Sequence, residues 1–402
     1  MKALRWLTLS LLAATLTGLL PGPSWAVPPF ARKYGFDCTM CHVQYPKLND
    51  FGQSYRDNGY RIMGKETLDK TVLETAPPIA MRTSVGYNHD TFDNPGGPEN
   101  DIRAFQVNGV DSLAGGLFSD RIGFLAVYLP EIAGSRHVAA QTSALEMANV
   151  VYSALDAPLP FTLRFGRFEP AYVAFSAKRT FTVAPYDIYD FAGPEGFALA
   201  DSQDGIELAR VFPQGLKLAG GWVNGSGRLD DSDAPRDFYL RASKMLGPGQ
   251  GQVVGHRVGA FLYSGRARPS DGGSREGFHR LGLDASLNFG QTNVMAQYIT
   301  GKDDAALNAF NPARDYDLSG GFVEVNHSLP GDIVTFGRLG WVNTPSEQNH
   351  DEHGATIGLR YYPAVNVALH AEFSRRRVDR GADNGLSDLT ENLFTTRVDF
   401  AF

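Results

Sequence analysis

From Ile79 to the C-terminus, apolar and polar residues alternate with a period of two, in segments of about ten residues separated by Gly, Asp, Asn and Pro. The clearest apolar sets are Ile79/Met81/Thr83/Val85/Tyr87, Ile122/Phe124/Ala126/Tyr128, Phe161/Leu163/Phe165, Leu216/Leu218/Gly220/Trp222, Ile357/Leu359/Tyr361 and Val365/Val367/Leu369/Ala371/Phe373. Between them stand Arg82, Arg121, Arg164, Arg360, His370 and Glu372, too polar for a packed sandwich core and suited to a wet lumen. Sixteen such segments are predicted, at 79–88, 101–112, 115–129, 144–157, 159–168, 204–213, 215–224, 236–246, 253–264, 277–289, 291–301, 316–327, 332–343, 354–363, 365–375 and 391–402.

The connections alternate in length. Those at 89–100, 130–143, 169–203, 225–235, 265–276, 302–315, 344–353 and 376–390 are long, and those near 113, 158, 214, 248, 290, 329 and 364 are short turns. An even strand number with this asymmetry predicts an all-β fold, a 16-stranded antiparallel transmembrane β-barrel of the outer-membrane type. Its short turns and both ends would face the periplasm. The final segment alternates Phe394, Val398, Phe400 and Phe402 outward with Thr395, Arg397 and Asp399 inward, and a terminal aromatic resembles the assembly signal of such barrels.

The N-terminal part differs. Lys2 and Arg5, the apolar run from Leu7 to Leu20 and the small-x-small triplet Ser24-Trp25-Ala26 read as a cleaved signal peptide over 1–26. Residues 27–78 read as helix and loop, with Tyr45, Leu48, Phe51 and Tyr55 forming an apolar helical stripe between His42 and Tyr60, and with Gly59 and Gly64 as stops. So short a segment buries little surface, so it is expected to borrow a core by plugging the lumen of the barrel formed by 79–402, through a stiff Thr75-Ala76-Pro77-Pro78 linker. The formal charge of −7 becomes −9 without the signal segment, and there is no basic block, which excludes nucleic acid as a natural partner. A mean hydropathy of −0.22 argues against a polytopic helical membrane protein but leaves a barrel untouched.

The chain's two cysteines fall in Cys38-Thr39-Met40-Cys41-His42, a C-x-x-C-H motif. Two thiols at this spacing can add to the two vinyl groups of one haem c, and the adjacent imidazole can bind its iron as proximal ligand. A thioredoxin-like pair would follow a strand, whereas here Val27-Pro28-Pro29-Phe30 precedes, and zinc or an iron–sulfur cluster would need further thiolates. The expected distal ligand is Met63, with Met81, His89 and an open position as alternatives. Arg82, Arg121, Arg164 and Arg360 are candidates to pair with the haem propionates.

The run from Phe36 to Gly52, with Tyr55-Arg56 and Gly59-Tyr60, resembles the N-terminal cytochrome of the fused monohaem cytochrome-porin family. The resemblance implies an electron conduit in the outer membrane, passing electrons between an extracellular donor, Fe(II) foremost, and a periplasmic c-type cytochrome; an iron oxidase is the enzyme reading. A transport porin with a haem-stabilised or redox-sensing plug is the alternative. By resemblance to trimeric porins, the long connection 169–203 would fold inward over the plug. His350-Asp351-Glu352-His353 and Asp230, Asp231 and Asp233 are candidate external cation-docking clusters.

Overall fold

The computed structural model describes residues 30, 34–36, 38–62, 71, 78–93, 100–129, 145–192, 197–225, 237–247, 255–267, 276–304, 315–344, 351–364, 366–379 and 388–401. The signal segment, Met63, most of the linker, His350, the Asp230–Asp233 group and Phe402 lie outside these residues. A short hairpin, β1 (His42–Gln44) and β2 (Lys47–Leu48), and a helix, α1 (Asp50–Asp57), precede the barrel. Sixteen antiparallel strands then close on themselves: β3 (Ile79–Asp93), β4 (Asn100–Leu117), β5 (Ile122–Tyr128), β6 (Leu145–Ala154), β7 (Phe161–Phe168), β8 (Gln203–Val211), β9 (Leu216–Val223), β10 (Asp237–Leu246), β11 (His256–Ala267), β12 (Glu276–Phe289), β13 (Thr292–Asp303), β14 (Tyr316–Leu329), β15 (Ile333–Asn343), β16 (Asp351–Ala364), β17 (Val367–Asp379) and β18 (Leu389–Ala401). Each strand pairs with its sequence neighbours, and the ladder from Thr390↔Asp93 to Ala401↔Arg82 joins last to first. No edge is left to pair with another chain.

Long and short connections alternate as expected, but several strands run further than the alternation alone marks. The turn expected near 113 lies instead at 118–121, because β4 continues through Gly115 and Gly116 to Leu117. A Cβ on Gly115 would press into the ring of Phe30, so this glycine makes room for an aromatic inside the barrel and not for a turn. Arg121 sits in the displaced turn, exposed, and pairs with Asp156 at 2.5 Å; it is not a luminal residue.

The two faces of the wall are chemically opposite. Outward positions carry large apolar side chains in the open, such as Phe105 (87% exposed), Ile357 (65%), Leu339 (64%) and Phe165 (60%). A continuous belt of this kind is stable only against lipid. No helix among the described residues is long and apolar enough to cross a membrane. Inward positions carry ion pairs: Arg241 with Asp284 (2.7 and 2.9 Å), Arg280 with Asp303 (2.5 Å), Arg164 with Glu207 (2.8 Å) and Arg360 with Asp399 (3.2 Å).

The long connection between β7 and β8 folds into the lumen. It carries a single turn of 3-10 helix (Ala177–Arg179) and a short helix, α2 (Asp187–Asp190). Its Tyr172, Phe175, Tyr186, Ile188 and Tyr189 are buried against Tyr239, Phe261, Tyr263 and Phe322 of the wall, an aromatic core where an open pore would have water. The wall also grips the loop's backbone. Glu372 accepts the N–H groups of Val183 and Ala184 at 2.7 Å each, Arg338 donates to the carbonyl of Ala184 (2.8 Å), and Arg360 donates to that of Phe181 (2.8 Å). Each bond satisfies a backbone group that the loop would otherwise bury unpaired.

Candidate functional site

The N-terminal segment occupies the short-turn half of the lumen. Lys217 donates to Asp57 (2.6 Å), Arg56 reaches Glu169 (3.3 Å), Asp50 accepts the N–H of Gly255 (2.8 Å), Ser153 donates to the carbonyl of Asn58 (2.8 Å), and the Tyr362 hydroxyl donates to the carbonyl of Tyr45. Lys217, Gly255, Ser153 and Tyr362 lie at or beside short turns, so the segment is a plug seated at that mouth. It has a small core of its own, the rings of Phe30, Tyr34, Phe36, Phe51, Tyr55 and Tyr60, with Phe30 stacked on Tyr60 at 4.8 Å. The expected helical stripe is divided: Tyr45 and Leu48 belong to the hairpin region, and only Phe51 and Tyr55 share a helix face. Asn49 is the reason, since its side chain caps α1 by accepting the N–H of Gly52 (2.9 Å) and so starts the helix at Asp50. The helix stops at Asn58, followed by Gly59 at φ +69°.

Asn49 also pins the C-x-x-C-H motif. Its amide donates to the carbonyls of Thr39 (3.1 Å) and Met40 (3.0 Å), and its own N–H donates to the carbonyl of Cys41 (2.9 Å). A Cβ on Gly52 would collide with that Cys41 carbonyl, so the close seat of the motif on α1 requires glycine there. Cys38 to Met40 form one 3-10 turn, and the N–H of Cys41 donates to the carbonyl of Cys38 (3.2 Å). Neither thiol is in a disulfide, and both are half-buried. Burial, then the neighbouring Cys38, push the Cys41 thiol up to about 11, so it is not poised as the thiolate of a dithiol exchange site.

The imidazole of His42 is oriented as a metal ligand would be. Its Nδ1 lies 3.2 Å from the carbonyl of Pro46, which fixes the tautomer and leaves Nε2 as the lone-pair nitrogen. Burial lowers its pKa to about 4, so the ring is neutral at physiological pH, the form that binds iron. These residues fit covalent haem: Cys38 and Cys41 would hold the ring, and Nε2 of His42 the iron.

The remaining candidates are dispersed. Met81 and His89 fall on the outward parity of β3, opposite the inward Arg82, and His89 pairs with Asp101 (2.9 Å) on an exposed surface; neither reaches the plug. Arg82, Arg164 and Arg360 are luminal but already neutralised, by Asp111, Glu207 and Asp399. Asp351, Glu352 and His353 lie on β16 and not in a loop, where the pleat turns buried Glu352 inward onto Arg376 (2.5 and 2.9 Å) and His353 outward. No group of three or more metal-ligating side chains forms among the described residues. The sequence reading missed Asn49, Gly52, Lys47 and Asp57; an Asn just before Asp50 and the apolar Phe51 is an N-cap signal, but nothing local marks the long-range partners of Lys47 and Asp57.

Two vestibules flank the plug. One, of about 520 Å³, runs along β3, β4 and β18 down to Tyr45 and Pro46. The other, of about 600 Å³, lies between α1 and the wall of β9–β14 and reaches the short turns at Gly215, Gly290 and Asp332. Thr180 is their one shared lining residue among those described, so the loop tip and the hairpin form a septum between them.

No protein-family model and no curated protein sequence matches the chain. Solved structures do. An anion-selective porin from Comamonas acidovorans superposes with a TM-score of 0.59 at 11% identity, covering 81% of this chain and 100% of that one. The outer membrane channel DcaP of Acinetobacter baumannii gives 0.60 at 8%, covering 81% and 97%. OmpF of Salmonella typhi, in complex with daunomycin, gives 0.53 at 8%, covering 81% and 97%. At these identities the likeness is one of fold, and the fold is the porin-type barrel of outer membranes.

Proposed function

We propose that this chain is an outer-membrane barrel whose plug carries one covalent haem c at Cys38, Cys41 and His42. The haem would pass electrons between an extracellular donor, Fe(II) foremost, and a periplasmic c-type cytochrome. The observation that carries the reading is the C-x-x-C-H motif seated inside the lumen, with its thiols out of any disulfide and the Nδ1 of His42 tied to a carbonyl. Bound haem would supply one-electron chemistry. The chain's own residues hold it, orient the imidazole and, through the septum of hairpin and loop, keep the two aqueous sides apart.

A second reading is a transport porin whose plug is stabilised by haem or senses redox state. The likeness to solved porins favours it over the conduit, and the two vestibules beside the plug would be the solute route. Proteoliposomes separate the two. With an oxidised cytochrome trapped inside and Fe(II) outside, the conduit predicts internal reduction without entry of small ions, and the transport reading predicts ion flux that does not need Cys38 or Cys41. Internal reduction that persists in the Cys38→Ala, Cys41→Ala protein would sink the conduit.

A further inference from the structure

The vestibule at the short-turn mouth has an unbalanced charge. Six cations face it: Lys47, Arg56, Arg179, Lys217, Arg241 and Arg257. Four are paired with carboxylates: Arg56 and Arg179 share Glu169, Lys217 holds Asp57 and Arg241 holds Asp284. Among the described residues, Lys47 donates only to the amide oxygen of Asn293 and the thioether of Met295 (3.3 Å). Arg257 donates to the carbonyl of Ala174 (3.0 Å), and its Nε is buried with no hydrogen-bond partner among the described residues. Four acids face the same cavity: Asp57 is spent on Lys217, Glu324 lies 3.8 Å from Arg338 and also acts on Lys47, Asp50 takes the N–H of Gly255, and Asp332 stands exposed at its turn. The surplus is positive. A half-buried cation with no carboxylate in hydrogen-bond contact is costly, and its cost falls when an anion arrives.

The ring of Phe181 sits 5.7 Å from the Lys47 ammonium, and that of Phe175 is 5.6 Å from the Arg257 guanidinium. The cations therefore border an apolar floor, which suits an anion with an apolar body better than a hydrated inorganic ion. We propose that this cavity binds the carboxylate of an amphiphilic small molecule, with Lys47 and Arg257 as its ligands. The carboxylate has two possible sources. One is a free solute entering at the short turns. The other is a propionate of the haem itself, a case that rests on the proposed function: Lys47 pairs across the hairpin with Gln44, two residues beyond His42.

Benzoate is the probe, titrated calorimetrically into the detergent-solubilised full chain, its Cys38→Ala, Cys41→Ala variant, and each combined with Lys47→Met or Arg257→Met. A free-solute site predicts binding to both parents, weakened about tenfold or more by either Met substitution, as expected for loss of one charged hydrogen bond. A propionate site predicts binding to the haem-free variant only, with Lys47→Met shifting the propionate bands in the resonance Raman spectrum of the haem protein. No benzoate binding together with unshifted bands overturns the proposal, as does binding that ignores both substitutions. If the double-Ala variant does not fold, judged by heat-modifiable gel mobility, the Raman comparison decides. If the purified chain carries no haem, the proposed function fails separately and calorimetry on the wild type decides the site.

Discussion

Replacing Asp57 by Asn would remove one half of the pair that fixes α1 to β9. Asp57 and Lys217 are both largely buried, at 11% and 22% side-chain exposure, and Arg56 adds a second cation at 3.7 Å. Lys217 foremost, then Arg56, hold the Asp57 carboxyl well below the usual carboxylate range despite its burial. Removing one partner of a buried pair typically costs about 3–5 kcal/mol; discounted for the exposure of Lys217, about 2–4 is expected here. At tenfold per 1.4 kcal/mol, that multiplies the unseated population by roughly 30-fold to several-hundred-fold. Limited proteolysis of the plug and single-channel conductance in planar bilayers would both read this, as faster cleavage and more frequent openings. The partner change Asp57→Asn with Lys217→Met should recover most of the loss, because no charge is then stranded. In the wild type, the contribution of a carboxyl with a lowered pKa is fully present above the unfolded value of about 4 and is lost only as pH falls through the folded one, so mild acid should leave the plug seated. A single variant as protected and as closed as the wild type would refute the claim that this pair seats the plug.

Three further outcomes are expected. Gly52→Ala should drive the motif off α1 and lower the yield of covalent haem, measured by pyridine haemochrome, whereas Gly109→Ala, with open space at its Cβ, should not. Lys47→Met should raise the melting temperature most below pH 8: burial lowers the lysine from 10.5 to about 8, the unfolded chain binds the extra proton between those values, and the advantage should shrink as pH rises toward 10.5; an advantage that grows with pH would contradict the assignment. Leu339→Arg, at an outward position 64% exposed, should cost about 2–4 kcal/mol in folding into lipid if it lies near the bilayer midplane; refolding into vesicles measures it.

Strand number, facing and the parity of connections were legible because a lipid face and a wet lumen impose a period of two that survives in each strand alone. Strand ends were less so, as Gly115 shows: a glycine reads as a turn unless one knows that Phe30 lies against it. The motif from Cys38 to His42 was legible because its chemistry is local, and the resemblance to trimeric porins pointed to an inward fold of the connection 169–203, which its described residues take. The hairpin at His42–Leu48 was not, and neither were the partners of Lys47, Asp57 and Glu352, since each depends on residues far away in sequence that the closed barrel alone brings near. Arg82, Arg164 and Arg360 were rightly placed inward, but their carboxylate partners could only be seen in three dimensions.

The most direct test of the central claim is the visible spectrum of the purified, detergent-solubilised chain, recorded before and after anaerobic addition of Fe(II). A haem c that stays with the chain on denaturation and develops its reduced α-band within seconds is the predicted result. A chain with no covalent haem would contradict the account at Cys38, Cys41 and His42, and a haem reduced by dithionite but not by Fe(II) would remove iron as the donor.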